Sequence, residues 1–295
     1  MNKPFRQKVN LALVGLLVGL FCACAASSLG FAADQVAQAP VPNFSSVDSP
    51  WMNGGAGFLP PPAGPGPVTI DKTHPVMARN PNNRGEVVEA PLRLADLSNP
   101  NLKPWVVDSL KKSNEELLAR GLRTASRANC MPPGVPQFLI FAGGFEPIYF
   151  IQTPKDVVMI HQANTEVRHV YLNVAHSAHP APSWYGESVG RYEGDELIVD
   201  TIGFNDKTLV DETYNVPHTT QLHVIERFKL TQDGKALQVN VTVEDPGAFN
   251  APWSAVVNYR HVPSALLLTE EPCAENNAEH LSNFFHIPTA EKPDF

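Results

Sequence analysis

Residues 188–202 read SVGRYEGDELIVDTI and residues 221–244 read QLHVIERFKLTQDGKALQVNVTVE. In both, apolar and polar side chains alternate with a period of two, the pattern of a strand with one buried face. Each stretch also carries a two-residue turn signal between its strand-like halves, Gly194-Asp195 and Asp233-Gly234. Two such hairpins commit the centre of the chain to antiparallel β-structure. Outward from them, the same period predicts strands over residues 138–142, 147–152, 157–162, 166–173, 188–192, 196–202, 221–230, 236–244 and 254–261. A mainly β protein follows, an antiparallel meander closing into a lipocalin-like barrel, with a β-sandwich as the alternative. Closure removes exposed edges, and about eight strands enclose enough room for one small ligand.

One helix is predicted ahead of the strands, over 104–120, with Pro104 in its first turn and Gly121 just past its end. Trp105, Val106, Leu110, Leu117 and Leu118 give it an apolar stripe for packing on the core or plugging an opening. Residues 34–100 are rich in Pro, Gly, Ala and Asn, and the run from Leu59 to Pro67 contains five prolines. Such a run forms neither a helix interior nor a central strand, so 34–100 reads as an extended arm or linker. Residues 101–295 then form a single β-rich domain whose tail, with Pro288 and Pro293, lies over the surface.

Residues 1–33 read as an export signal: Lys3, Arg6 and Lys8, an apolar run from Leu11 to Phe21, and a small-residue cleavage site at Gly30-Phe31-Ala32. That run is shorter than the roughly 20 residues of a membrane span, and no later segment approaches such a length. A periplasmic or secreted protein is expected, without a transmembrane segment once the signal is removed. A lipoprotein at Cys22 or Cys24 is the weaker alternative, because Phe21-Cys22-Ala23-Cys24 is a poor lipobox. Cleavage leaves Cys130 and Cys273, which an oxidising compartment favours as a disulfide. Closing so long a loop contributes about 4–5 kcal/mol in the chain-entropy model.

The formal net charge is −8, and loss of the basic leader makes the remainder more acidic still. That surface argues against nucleic acid or an anionic membrane as partner. The chain has no P-loop, dinucleotide Gly fingerprint, HExxH or CxxC, so no cofactor is expected. The histidine spacings match no metal motif, so no metal is expected either. The oligomeric state stays open.

The densest chemistry lies in residues 179–227. Glu226 interrupts the apolar row Leu222, Val224, Phe228, Leu230, so the register turns it inward. A buried carboxylate must be paired, hydrogen-bonded or protonated. Two readings stand side by side: a general acid or base of raised pKa, and an ion pair with an arginine such as Arg191 or Arg168. Asp200, on the face of Ile198, Ile202 and Phe204, poses the same question, with a hydrogen-bonding role favoured. His218, after Pro217 in a loop, could move a proton at a barrel mouth. His223 lies on the strand face opposite Glu226. His176 and His179 precede Trp184 and Tyr185, while His161 and His169 fall on or near strands.

Trp184, Tyr185 and Trp253 could wall a pocket, and Arg191 or Arg227 could hold an anionic group. Ser183 and Ser188 lack the G-x-S-x-G context of a hydrolase nucleophile. Glu193, Asp195 and Glu196 surround a hairpin turn and read as solvated.

The motifs Pro182-Ser183-Trp184-x-Gly186-x-Ser188-Val189-Gly190 and Glu193-Gly194-Asp195-x-Leu197-x-Val199-Asp200-Thr201-x-Gly203 resemble those of a large set of uncharacterised bacterial exported proteins. Pro217-His218, Leu222-His223-Val224-x-Glu226-Arg227-Phe228, Asp245-Pro246 and Pro252-Trp253 look like the same set, over about residues 79–295. Relatives often carry Trp at the position of Tyr192, and Asp-Gly-Arg where this chain has Asn173-Val174-Ala175. The resemblance implies export and a shared site but no particular reaction.

The expectation is therefore a periplasmic, cofactor-free acid/base enzyme. It would be a lyase, isomerase or hydrolase acting on a small, partly apolar molecule inside a β-barrel. Glu226, His218 and Asp200 would be catalytic. Trp184, Tyr185, Arg191, Arg227, His223 and His179 would bind substrate. The alternatives are a lipocalin-like binding protein without turnover and an envelope-assembly protein whose Pro-rich arm recruits a partner.

Overall fold

The computed structural model describes residues 41–74, 93–120, 130–140 and 147–262, apart from residues 47, 55 and 56. The expected signal, Cys273 and the C-terminal tail lie outside them. Cys130 is described, in a left-handed backbone conformation with φ 53°, but the expected bridge reaches a residue that is not.

Nine strands form a closed barrel. They are β1 (Trp51–Met52), β2 (Ile148–Gln152), β3 (Asp156–His161), β4 (Glu166–Leu172), β5 (Glu187–Glu193), β6 (Glu196–Ile202), β9 (His223–Thr231), β10 (Ala236–Glu244) and β11 (Trp253–His261), in the order β1-β11-β10-β9-β6-β5-β4-β3-β2. Between β6 and β9 the chain makes an excursion containing a small sheet of β7 (Leu209–Asp211) and β8 (Val216–Pro217). The expected barrel is thus present, and strands predicted at 196–202 and 236–244 keep those bounds.

Three departures from the expected meander matter. First, β4 and β5 run parallel, pairing Val170 with Ser188 and Leu172 with Gly190. A parallel neighbour cannot be reached by a hairpin, so residues 173–186 cross back along the outside of the barrel. Second, the strand expected at 138–142 starts instead as a 3-10 turn, Gln137–Leu139, and its last two positions lie outside the described residues. Its amides bond locally, Phe138 N to Gly134 O and Leu139 N to Pro136 O. The prolines ahead of it favour a turn over a ladder. Third, β1, β7 and β8 are too short to show a period in sequence.

The interior is filled. Phe150, Met159, Val170, Leu197, Val199, Phe228, Val239, Val241 and Val257 face inward in alternation and belong to one buried cluster with Phe138 and Leu139. Burying such side chains stabilises the fold by about 1.5–3 kcal/mol each. The helix α1 (Pro104–Arg120) forms where predicted and buries Val106, Leu110 and Leu117. Trp105 and Leu118, counted in its stripe, are 42% and 52% exposed, because the buried face is narrower than the apolar one. Among the described residues no helix is long and apolar enough to cross a membrane.

Part of the proline-rich arm belongs to the wall. Trp51 of β1 pairs with both His261 of β11 and Ile148 of β2. Further along, Leu59 and Val256 exchange backbone hydrogen bonds of 3.0 and 2.9 Å, and Ser254 N donates to Pro65 O. The arm thus occupies the seam where the barrel would otherwise stay open.

Candidate functional site

Alternation along β9 places Glu226 inside the barrel, as its register predicts, and Arg168 of β4 reaches it across the interior. The guanidinium donates to both carboxylate oxygens, at 2.9 and 2.5 Å, and the two residues are 0% and 1% exposed. Arg168 also donates to Ser188 Oγ and Thr201 Oγ1, which bond each other at 3.0 Å. Of the two arginines considered from sequence, Arg168 is the partner and Arg191 is not. This closed and satisfied network is the arrangement a buried charge requires, and it leaves Glu226 with both oxygens engaged.

Asp200 points the other way, onto the outer wall. Its Oδ1 lies 2.9 Å from His176 Nε2 and 3.0 Å from His223 Nε2. The other ring nitrogens reach Glu187 Oε1 at 3.0 Å and Glu244 Oε2 at 3.2 Å. Ser177 donates to Glu187 through its amide and its hydroxyl. The chain Glu187–His176–Asp200–His223–Glu244 therefore fastens the start of the 173–186 crossover to the wall. Among the described residues, no group of three or more His, Cys, Asp or Glu side chains is arranged to hold a metal ion.

His218 sits in a third network. It is buried, with Nε2 2.7 Å from Thr208 Oγ1 and Nδ1 3.0 Å from Thr219 O. Donation to that carbonyl makes Nδ1 the protonated nitrogen and leaves Nε2 to accept from Thr208. Burial lowers its pKa, partly offset by the hydrogen bond to Thr219 and by nearby Asp245 and Asp206. Glu226, His218 and Asp200 thus occupy three separate hydrogen-bond networks. Arg191 and Arg227 bond Glu193 and Glu196 beside the β5–β6 hairpin, in the solvated turn expected there. His179 is exposed, and Trp184 is half-buried.

A fourth group gathers at the barrel rim, where His161 ends β3 and pairs in register with Glu166 at the start of β4. Both face inward. Tyr185, brought over the rim by the crossover, donates its hydroxyl to Glu166 Oε2. The Phe138 ring meets His161 and Tyr185 edge-on, with centroids 5.7 and 5.9 Å away. His161 is buried and accepts the Ala163 amide at Nδ1, 3.2 Å away. Glu166 and Tyr185 are only half-buried, so water reaches them. Burial raises the Glu166 pKa, and the Tyr185 hydrogen bond opposes that rise. Burial also raises the Tyr185 pKa, reinforced by Glu166 and opposed by Arg168.

Local sequence explains how Tyr185 arrives there. Gly186 adopts φ +67°, and a Cβ on it would lie 2.6 Å from Ile202 O, so only glycine lets the crossover turn into β5. Pro180 packs on Gly203, where a Cβ would lie 2.8 Å away. Ser183 N donates to Gly203 O, and Asn205 N to Ser183 O. Ser183 Oγ donates to the Gly186 carbonyl, at 3.3 Å, a turn contact. Sequence reasoning did not weigh Glu166. Its signal was the inward row Glu166, Arg168, Val170, Leu172, which sets two charges beside two apolar residues on one strand face.

No protein-family model matches the chain, and no curated protein matches it.

Proposed function

We propose that this chain is a periplasmic, cofactor-free acid/base enzyme, a lyase, isomerase or hydrolase acting on a small, partly apolar molecule held at the barrel rim. The hydrogen-bonded pair Glu166 and Tyr185 carries the reading. A half-buried carboxyl whose pKa is raised by burial is suited to exchange a proton with a bound molecule. The adjacent phenol stays protonated and orients the carboxyl through its hydrogen bond, and Phe138 supplies an apolar surface. The filled interior moves the substrate from inside the barrel to its rim. Arg168, held by Glu226, lies close enough to oppose the rise in the Tyr185 pKa.

The rival is binding without turnover, favoured by a different observation. Among the described residues, the buried Trp253 indole N–H, beside Asn101, Leu102 and Phe249, has no hydrogen-bond partner.

Mass spectrometry of small molecules that co-purify with the mature protein, repeated for Glu166→Gln and Tyr185→Phe, separates the two. Turnover predicts a product seen with the parent and replaced by unreacted substrate in Glu166→Gln. One molecule retained unchanged by all three proteins would establish binding alone.

A further inference from the structure

We infer that the seam between β2 and β11 is a peptide-binding groove, and that the N-terminal arm, residues 44–65, is its resident and separable occupant. Three aromatic anchors spaced seven residues apart seat the arm: Phe44, Trp51 and Phe58, all buried. Phe44 packs on Phe150 of β2, with centroids 6.3 Å apart. Trp51 stacks on His261 of β11 at 3.5 Å, and Phe58 meets Trp253 edge-on at 6.1 Å. Backbone bonds run between them. Val262 N donates to Pro50 O, Leu59 and Val256 bond reciprocally, and Ser254 N donates to Pro65 O. On the β2 side, Phe150 N donates to Ser46 Oγ, and Gln152 Oε1 accepts the amides of Phe44 and Ser45. Main-chain bonds with side-chain anchors set into the wall are the chemistry of strand addition to a sheet edge.

The arm's hold rests on its anchors and scattered single bonds, because its register-paired ladder is short. β1 contributes two register pairs to β11 and one to β2, whereas β9–β10 shares nine pairs and β10–β11 shares eight. Pro60, Pro61 and Pro62 bring no amide donor. Units with few ladder bonds open below the global unfolding free energy. The fitting partner is thus an extended segment with aromatic anchors seven residues apart, about 23 Å of extended chain, and a proline-rich end. The arm supplies that segment in cis. Its release would uncover Phe150, on which Phe44 packs. None of this depends on the acid/base reading of the rim.

Residue-resolved hydrogen exchange on the mature chain tests the idea. The Ser254 and Val256 amides, which face the arm, should exchange at least tenfold faster than those of Ala255 and Val257, which face β10. A labelled synthetic peptide of residues 41–68 should then bind saturably to Trp51→Ala and to the milder Leu59→Pro, which deletes one seam hydrogen bond. Binding to the parent, whose groove is filled, should be at least tenfold weaker. Exchange of all four amides in step would overturn the proposal. So would absence of peptide binding to both variants, or unfolding of both, which would make the arm part of one cooperative core.

Discussion

Glu226 and Glu166 are two inward carboxylates with opposite fates. Both oxygens of Glu226 are held by a guanidinium in a dry interior, so removing its charge leaves Arg168 buried and uncompensated. Glu226→Gln should cost about 3–5 kcal/mol of stability, read as a lower urea midpoint with an unchanged slope. Replacing the pair together, as Arg168→Met with Glu226→Leu, should cost less than the single change. Glu166 at the rim carries the opposite expectation. Glu166→Gln should lower turnover by about 10²–10⁴ while leaving the urea midpoint near the parent's. Its raised pKa also gives a sign: stability present in acid is lost as pH rises through the folded pKa, and the glutamine variant should lack that loss. His218 runs the other way. Its folded pKa is lowered, so its contribution is present above the ordinary histidine value and lost as pH falls through the folded one. Denaturation curves from pH 7 downward should be flatter for His218→Gln than for the parent.

At the scale of elements, α1 and the 173–186 crossover make separate tests. Leu110 is fully buried and Leu118 exposed on the same helix. Leu110→Ala should cost about 2–5 kcal/mol, while Leu118→Ala stays within about 0.5 kcal/mol. Equal effects on the melting temperature would refute the observed helix face. In the crossover, Gly186→Ala places a methyl against Ile202 O at positive φ, which should cost more than about 1 kcal/mol. Because this glycine steers Tyr185 onto Glu166, the variant should also lose turnover in the fraction that remains folded. Loss of stability with full activity would place the site elsewhere.

At the scale of the molecule, the barrel is a packed body rather than a container. Its polar side chains divide among an inner ion pair, an outer His–carboxylate chain, a buried histidine beneath the β7–β8 excursion, and the rim. Among the described residues, only the rim combines access to water with a titratable pair and an apolar wall. The disulfide proposed between Cys130 and Cys273 belongs to this scale as well. It should appear as one crosslinked peptide under non-reducing digestion, and its reduction should lower the urea midpoint.

Much of this fold could be read from local pattern. A period of two identified β6 and β10 with their bounds, turned Glu226 inward and His223 outward, and named Arg168 as one of two possible partners. Proline and glycine positions bounded α1. Those features depend on side-chain alternation and backbone sterics within a few residues, which a sequence carries explicitly. The tertiary structure alone decided the parallel β4–β5 neighbours, the seam filled by the arm, and the meeting of Tyr185 with Glu166. Each is a contact between segments far apart in the chain, or one reached by a crossover without a period of its own. Which edge a strand chooses is set by the free energy of the closed barrel as a whole, and no local periodicity encodes that choice.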